Sequence, residues 1–439
     1  MSQSTTVRRK SGFNLLYYLY SMIYGDIIFT RFDFVSLHLI IMQTANQMNQ
    51  GKSIFAQVMS LFPEYIFRQC VARYNGDRHQ IKFTCRDQFM VMSFAQFTSQ
   101  QSLRTNEAAL TAFEGKLYHS GLSLIPRSTL ADLNETKDWR IYHDLAQYLI
   151  KKARKLYDKD YYRLDIDNMV YSFDSSTIEL CLKLCPWAEF HHGKGAFKMH
   201  TLLSLRGSIP TFVYLTEGKV HDSKIMDELP IEAFAYYLMD KGYIDFKRLY
   251  NLFHKQHAFF VTRAKANMKY KVVAERTVDK STGVICDQDI MLTGLKTAQY
   301  YPERIRMVVY EDYATNNVYT FITNDFYLPA LTIAELYRER WYVETFFKFI
   351  KGRLHIKSFY GTSRNAVYTQ IWIAVCDYLL LVIAKRMFHI ECELYILAQS
   401  IGLVLFEKEP INEIFKRNKS NNKTENDGQL SLWPDFSGQ

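Results

Sequence analysis

The sequence lacks any apolar run that could cross a bilayer without interruption. Residues 13–42 are rich in aromatic and aliphatic side chains, but Asp26, Arg31 and Asp33 break them up, and a spanning helix needs about 20 consecutive apolar residues. Arg8–Lys10 precede this stretch as the basic start of a secretory signal does, yet no small-residue cleavage site comes after it. The second apolar segment, Ile371–Ala384, is also short and carries Asp377 in its middle; it predicts a buried core helix and no membrane partner. A disulfide framework is missing too. The seven cysteines, Cys70, Cys85, Cys181, Cys185, Cys286, Cys376 and Cys392, are odd in number and scattered, which points to reduced thiols and a cytoplasmic location. Cys181 and Cys185 precede His191 and His192, but no second cysteine pair completes a zinc set. Internal repeats are absent as well.

What is there reads as an ordinary globular chain. Its 439 residues, 48% hydrophobic and 23% charged, provide for two or three domains with buried cores. The 15% aromatic share reads as bulky core sooner than as stacking surface. A net charge of +9 and a pI near 8.9 are compatible with a polyanionic partner and do not by themselves require one.

The texture changes three times along the chain. Residues 1–47 do not resemble the rest of the chain, and Met48 opens a normally patterned stretch. This predicts that 1–47 are an extension upstream of the authentic start. Residues 48–160 read as a mainly helical N-terminal domain that binds DNA. Helical spacing runs through Asp87–Phe97 and Asn106–Phe113, Ile125–Leu133 opens with Pro and Ser, and Gly121 sits where a helix-turn-helix would turn. A basic cluster of Lys151, Lys152, Arg154 and Lys155 ends the next helix; it fits a solvated helix end and a phosphate contact equally. From about 165 short strands appear at Met169–Phe173, Ala196–Ser204, Thr211–Leu215, Phe234–Met239 and Ala258–Val261, with helices at His221–Glu228 and Phe246–His254. Residues 263–325 alternate in the β manner, and a long helix is predicted from Thr332 to Leu354. Residues 401–439 form a C-terminal segment whose tail, from Lys416, is rich in Asn, Lys, Ser and Gly and predicts disorder.

Three carboxylates stand out. Asp174 ends the run Val170–Phe173, and Asp240 ends Phe234–Met239. An acid just past the carboxyl end of a strand lies at the sheet rim, where α/β sites sit, although strands often end in Asp at a plain turn. The long helix says more. Tyr337, Arg340, Glu344 and Lys351 fall at roughly 0°, 300°, 340° and 320° around it, a stripe about 60° wide and about 20 Å long. One face thus presents a phenol, a guanidinium, a carboxylate and an ammonium amid Trp341, Phe346, Phe347 and Ile350. Arg340 and Glu344 also fit a plain i, i+4 pair, but a tyrosine and three charges on so narrow a stripe suit a site better than a solvated face. Three acids on two strand ends and one helix can hold two hard divalent cations, which prefer a few carboxylates and keep waters for substrate. Arg and Lys beside the third acid can grip a phosphate. Lys198 and His200 alternate with Phe197 and Met199 and face one side of their strand, as sheet surface or as DNA contacts. His221-Asp222 reads as a helix cap.

Tyr337-x2-Arg340-x3-Glu344-x6-Lys351 resembles the Y-R-E-K signature of the IS-four-type insertion-sequence transposases, a branch of the DDE superfamily. Tyr171–Thr177 and Asp240–Tyr243 resemble the regions around that family's first and second Asp. Gly193–His200 and Gly218–Asp222 are similar to segments between them, and 48–130 to the small N-terminal domain. The resemblance covers most of 48–400. It implies an α/β fold, with an RNase H-like catalytic core built as a mixed five-stranded sheet with flanking helices. That core, 161–262 and 326–400, is interrupted by a β-rich insertion at 263–325. It implies Asp174, Asp240 and Glu344 as catalytic metal ligands for two Mg2+ ions, with Mn2+ substituting, and Tyr337, Arg340 and Lys351 as holders of DNA phosphates. The implied partners are double-stranded DNA, as terminal inverted repeats and as target, and a second copy of the chain. The implied activity is cut-and-paste transposition through a hairpin intermediate. An RNase H-like nuclease, or a catalytically idle DNA-binding derivative of a transposase, remain the alternatives.

Overall fold

The computed structural model describes residues 51–415 apart from 159, 161–163, 165, 192–193 and 355–358. The expectations for residues 1–47 and for the tail from Lys416 lie outside them.

Seven helices open the described chain: α1 (Ile54–Met59), α2 (Glu64–Arg73), α3 (Cys85–Phe97), α4 (Leu103–Ala112), α5 (Glu114–Ser120), α6 (Arg127–Thr136) and α7 (Arg140–Tyr157). Local chemistry sets several of their ends. Thr84 caps α3 in a capping box with Asp87, and Ser102 does the same for α4 with Thr105. Gly121, at φ +67°, closes α5 in the left-handed conformation that favours glycine. The basic end of α7 is partly committed to the fold. Arg154 donates to the Tyr171 hydroxyl at 3.0 Å and to Glu232 at 2.8 Å, and Lys152 donates to the Leu61 carbonyl at 3.3 Å.

These helices do not close a core among themselves. They wrap α11 (Arg364–Met387), whose residues from Ala366 to Ala384 are all buried, and share one apolar cluster with it, with α10 (Tyr342–Leu354) and with α12 (Leu394–Leu403). A helix apolar all round belongs in such a position. α11 has the length and composition of a membrane span, but it is buried within the protein along its whole apolar length. Asp377 is sunk in its middle, and burial pushes that carboxyl well above its usual range. The core-helix reading of Ile371–Ala384 therefore holds.

The strands form one mixed sheet, ten-stranded among the described residues. β1 (Val170–Leu180) pairs antiparallel with β3 (Lys194–Ser204), which carries β2 (Glu189–His191) and β4 (Ile209–Glu217). On its other side β1 pairs parallel with β5 (Tyr236–Met239), and β5 pairs parallel with β6 (Phe259–Arg263). The β-rich stretch after β6 extends this same sheet. β10 (Asn317–Thr323) joins β6 antiparallel, followed outward by β9 (Ile305–Asp312), β8 (Val284–Leu292) and β7 (Tyr270–Arg276). A short helix, α8 (Leu295–Tyr300), lies between β8 and β9, and α9 (Ala330–Glu339) returns the chain to the middle of the sheet.

A buried charge network fastens the outer strands to that return. Arg306 on β9 donates to both oxygens of Asp287 on β8, each at 2.8 Å, and to the Leu328 carbonyl just before α9 at 2.7 Å. Arg306 and Asp287 are both buried, so breaking the pair leaves a charge in low dielectric. Arg306→Met is expected to cost about 3 kcal/mol, read as a lower urea midpoint. Adding Asp287→Leu is expected to recover most of that loss.

Candidate active site

The parallel pairing of β1 with β5 ends at Phe173 opposite Met239. The next residue on each strand is an acid, Asp174 and Asp240, so the sheet register sets the two side by side. Asp240 leaves the sheet there and caps the turn Lys241–Tyr243. Asp174 does not: β1 runs on to Leu180 against β3, which puts this acid in mid-strand, and not past a strand end as its position after an apolar run suggested.

The predicted long helix is two helices. α9 ends at Glu339 and α10 starts at Tyr342, with Arg340 and Trp341 in the bend between them. Around the bend the backbone bonds tighten: Arg340 N to Tyr337 O, Trp341 N to Arg338 O and Val343 N to Arg340 O span three residues, not four. The Arg340 carbonyl also accepts the Ser172 hydroxyl at 2.8 Å, which pins the bend to β1. Apolar periodicity is blind to such a bend, because the core side of both halves stays apolar. Consequently Tyr337 and Glu344 do not lie on one continuous stripe: Tyr337 reaches Asp240, while Glu344 is joined to Asp174 only through Arg340.

Arg340 is the hub. It donates to Asp174 at 3.0 Å and to Glu344 at 2.8 Å, while the Tyr337 hydroxyl donates to Asp240 at 3.4 Å. Burial pushes the Asp174 carboxyl up to about 6, although Arg340 and the Ser175 amide pull it down. At Asp240 burial works the same way but loses: Arg340, the Lys241 amide and Arg263 hold that carboxyl below its usual range. Burial raises the Tyr337 phenol to about 12 against the pull of Arg340 and Arg263. Lys351 lies about 10 Å along α10 from Glu344; burial lowers its pKa, and Glu179 on β1 opposes that shift.

Lys198 and His200 do face one side of β3, as alternation predicts, but they share a different carboxylate, Asp222, and do not reach the three acids. Lys198 pairs with Asp222 at 3.0 Å. His200 is fully buried, with Nδ1 3.8 Å from the same carboxylate and Nε2 2.9 Å from the Thr216 hydroxyl. Burial lowers the imidazole to about 4, so it stays neutral. His221 is the cap of the following turn, Nδ1 accepting from the Ser223 amide.

Sequence reasoning missed Arg263, the last residue of β6. Its Nη2 lies 3.2 Å from Asp240, and its guanidinium stands 5.9 Å from the Tyr337 ring, with Arg340 at 5.8 Å from the same ring. Sequence offered only a cation two residues past the predicted strand Ala258–Val261, at the start of the β-rich stretch, which is common. Arg263, Tyr337 and Arg340, but none of the three acids, line a cleft of about 2590 Å³ between the outer strands and α9–α12, in which seven basic residues, including Lys265, Lys348 and Lys385, face three acidic ones, Glu335, Glu339 and Glu393. Trp341 lines it with Lys348 lying 4.2 Å over its ring.

Three carboxylates on rigid elements suit a hard, oxygen-seeking cation. Among the described residues, however, no three of His, Cys, Asp and Glu converge closely enough to hold one. The guanidiniums of Arg340 and Arg263 occupy the ground between the acids.

Residues 167–380, which carry Asp174, Asp240, Arg263, Tyr337, Arg340 and Glu344, match the family model of the transposase DDE domain, and residues 50–123 match a domain of unknown function. Residues 167–380 form a transposase DDE domain by sequence. The transposase-named y4zB protein of Sinorhizobium fredii is 34% identical over 56% of this chain and 69% of its own. The transposase-named protein of insertion sequence element IS5377 from Geobacillus stearothermophilus is 31% identical over 61% and 69%. The chain belongs to the DDE transposases of insertion sequences. Among solved structures, a piggyBac transposase synaptic complex with hairpin DNA aligns with 86% of this chain and 83% of its own at a TM-score of 0.42 and 11% identity, a likeness too loose to fix the arrangement.

Replacing Arg340 exposes the repulsion it suppresses. In Arg340→Gln the Asp174 carboxyl is expected to rise further above about 6. A folded-state value raised above the unfolded one stabilises fully at low pH, and that stability is lost as pH rises through the folded value. Arg340 also holds the Asp240 carboxyl low, so in EDTA a deficit is expected already near pH 5 that widens as pH rises, to about 1–3 kcal/mol at pH 8. Thermal melts across that range check this; a deficit independent of pH would mean that Arg340 does not neutralise the acids.

Proposed function

We propose that this transposase excises and inserts its element by cutting and rejoining DNA at Asp174, Asp240 and Glu344, on an RNase H-like core, through a hairpin intermediate and as a homodimer. The observation that carries the reading is the register of β1 against β5, which sets two acids side by side while Arg340 ties the third to the first. Mg2+, with Mn2+ as substitute, supplies when bound at these acids the activation of the attacking oxygen and the neutralisation of the leaving one, two ions sharing the work.

The chain's own residues supply the rest. Asp174 sits in β1, Asp240 directly after β5 and Glu344 on a helix pinned to β1, so none has to be ordered at the moment of reaction. Arg340, drawn off the carboxylates, carries a planar fork suited to a phosphate. Tyr337 and Lys351 flank it as further phosphate contacts. The basic, aromatic-lined cleft has the charge and ring-bearing lining that suit a nucleic-acid strand. Lys198 and His200 fit a supporting role, bracing Asp222 behind β3, better than direct DNA contact. The helices of 52–157 fit recognition of the element's terminal repeats.

The test is cleavage of a labelled duplex carrying the element's ends, with Mg2+. Wild type is expected to leave 3′-hydroxyl ends and hairpins. Asp174→Asn, Asp240→Asn and Glu344→Gln are each expected to lose about 1000-fold or more, the scale of removing a preorganised charge-stabilising group. Binding without cleavage by wild type would favour an idle DNA-binding derivative, and cuts without rejoining a plain nuclease. Because Asp174 holds its proton up to about pH 6, Mn2+ affinity measured without DNA is expected to fall up to about tenfold per unit as pH drops below 6, and to level off above 7.

A further inference from the structure

We propose that Arg263 is a substrate-binding residue of this site, which neutralises Asp240 in the free protein and moves onto a DNA phosphate once that acid is taken by a cation. The inference rests on the proposed transposase mechanism and adds a residue outside the Y-R-E-K set. Arg263 ends β6, directly opposite Phe321 on β10. It therefore stands where the central strands give way to the outer ones, at the mouth of the cleft that it lines with Lys241 and Lys265.

Four observations point the same way. Nη2 reaches Asp240 at 3.2 Å, and the guanidinium faces the Tyr337 ring from one side as Arg340 does from another. Its Nε is buried without a hydrogen-bond partner, although a guanidinium has five N–H donors to place. About a third of the side chain remains open to the cleft. A residue whose sole duty was to brace Asp240 would present its fork squarely to that carboxylate. This one touches it with a single nitrogen, shares a side-chain hydrogen bond with Tyr337 and leaves Nε unpartnered. A phosphate oxygen pair, planar and anionic, matches its guanidinium donors.

Arg263 and Arg340 then play parallel parts. Each occupies cationic ground beside a strand acid in the free chain, and each has the reach to turn from carboxylate to phosphate while its Cα stays on a fixed element.

The experiment compares wild type, Arg263→Gln and Arg263→Lys in two measurements. In the first, binding of a fluorescent element-end duplex is followed by anisotropy over a NaCl series, with Ca2+ and separately with EDTA. In Ca2+, Arg263→Gln is expected to lower the slope of log affinity against log salt by about 0.9, the loss of one phosphate contact, and to weaken binding by about 3–10-fold at 0.1 M salt. In EDTA the slope is expected to stay as in wild type, and Arg263→Lys is expected to keep the slope in both. In the second, Mn2+ affinity is measured without DNA. It is expected to tighten about 3–10-fold in Arg263→Gln, because a competing cation has been removed. Weaker Mn2+ binding with an unchanged slope in Ca2+ would overturn the inference and make Arg263 a brace for Asp240. Should Arg263→Gln not fold, the same two readings are taken on Arg263→Met: a lower slope in Ca2+ with tighter Mn2+ binding would support the inference, and both unchanged would overturn it. If wild type cleaves the duplex while Arg263→Gln shows no change in slope, only this inference falls. If wild type neither binds nor cleaves, the proposed function falls with it.

Discussion

The double ion pair of Arg340 with Asp174 and Glu344 is the interaction on which the rest of this structure depends. Two carboxylates in a half-buried cleft repel each other, and a third, Asp240, stands one strand away. Removing such groups from water without a counter-charge costs several kcal/mol each, yet the sheet register and the docking of α10 force these acids together. A guanidinium resolves the conflict because its planar fork can serve two carboxylates at once. Its position is then critical to within tenths of an ångström, and much of the surrounding architecture can be understood as holding it there.

The bend between α9 and α10 is the clearest example. An unbroken helix would swing Arg340 and Glu344 round together, since residues four apart share a face. In the tightened turns at 340–343 the Arg340 carbonyl accepts both the Val343 amide and the Ser172 hydroxyl, so the same residue is fixed by its backbone to β1 and by its side chain to the acids. The two ends of this assembly are anchored separately. Arg306 holds the segment before α9 to the outer strands, and α10 packs on α11, which the N-terminal helices surround. A site assembled from β1, β5 and α10 thus rests on contacts contributed by nearly the whole described chain.

Much of this was legible in sequence. Asp174 and Asp240 are marked by the apolar runs before them, and Glu344 by the spacing of Tyr337, Arg340 and Lys351. The buried helix around Asp377 followed from an apolar stretch too short and too acidic for a membrane. What was hidden has a common cause: it depends on partners distant in sequence. The bend at Arg340 leaves the apolar periodicity intact. The extension of β1 beyond Asp174 is decided by its antiparallel partner, β3, and not by the residues Ser175–Leu180 themselves. Arg263 becomes significant only when β6 lies beside β5, which brings a strand-end cation to Asp240. His200 looked like a surface residue by alternation because alternation fixes the side of the strand and not what covers it.

The charges also constrain what the site can accept. In the free chain three acids face two guanidiniums, Arg340 and Arg263, which leaves the site close to balance and explains how so many charges remain partly buried. Under the proposed mechanism two divalent cations held by those acids would add four positive charges, and with both guanidiniums still present the balance would become strongly positive beside a cleft where basic residues already prevail. A positive excess in low dielectric is as unfavourable as a negative one. It is relieved by a polyanion lying along the cleft, and a DNA backbone brings its negative charges at the required spacing. Under the proposed mechanism cations and DNA therefore each favour the binding of the other, and the arginines that keep the metal-free protein stable are the groups that make its loaded site selective for a phosphate chain.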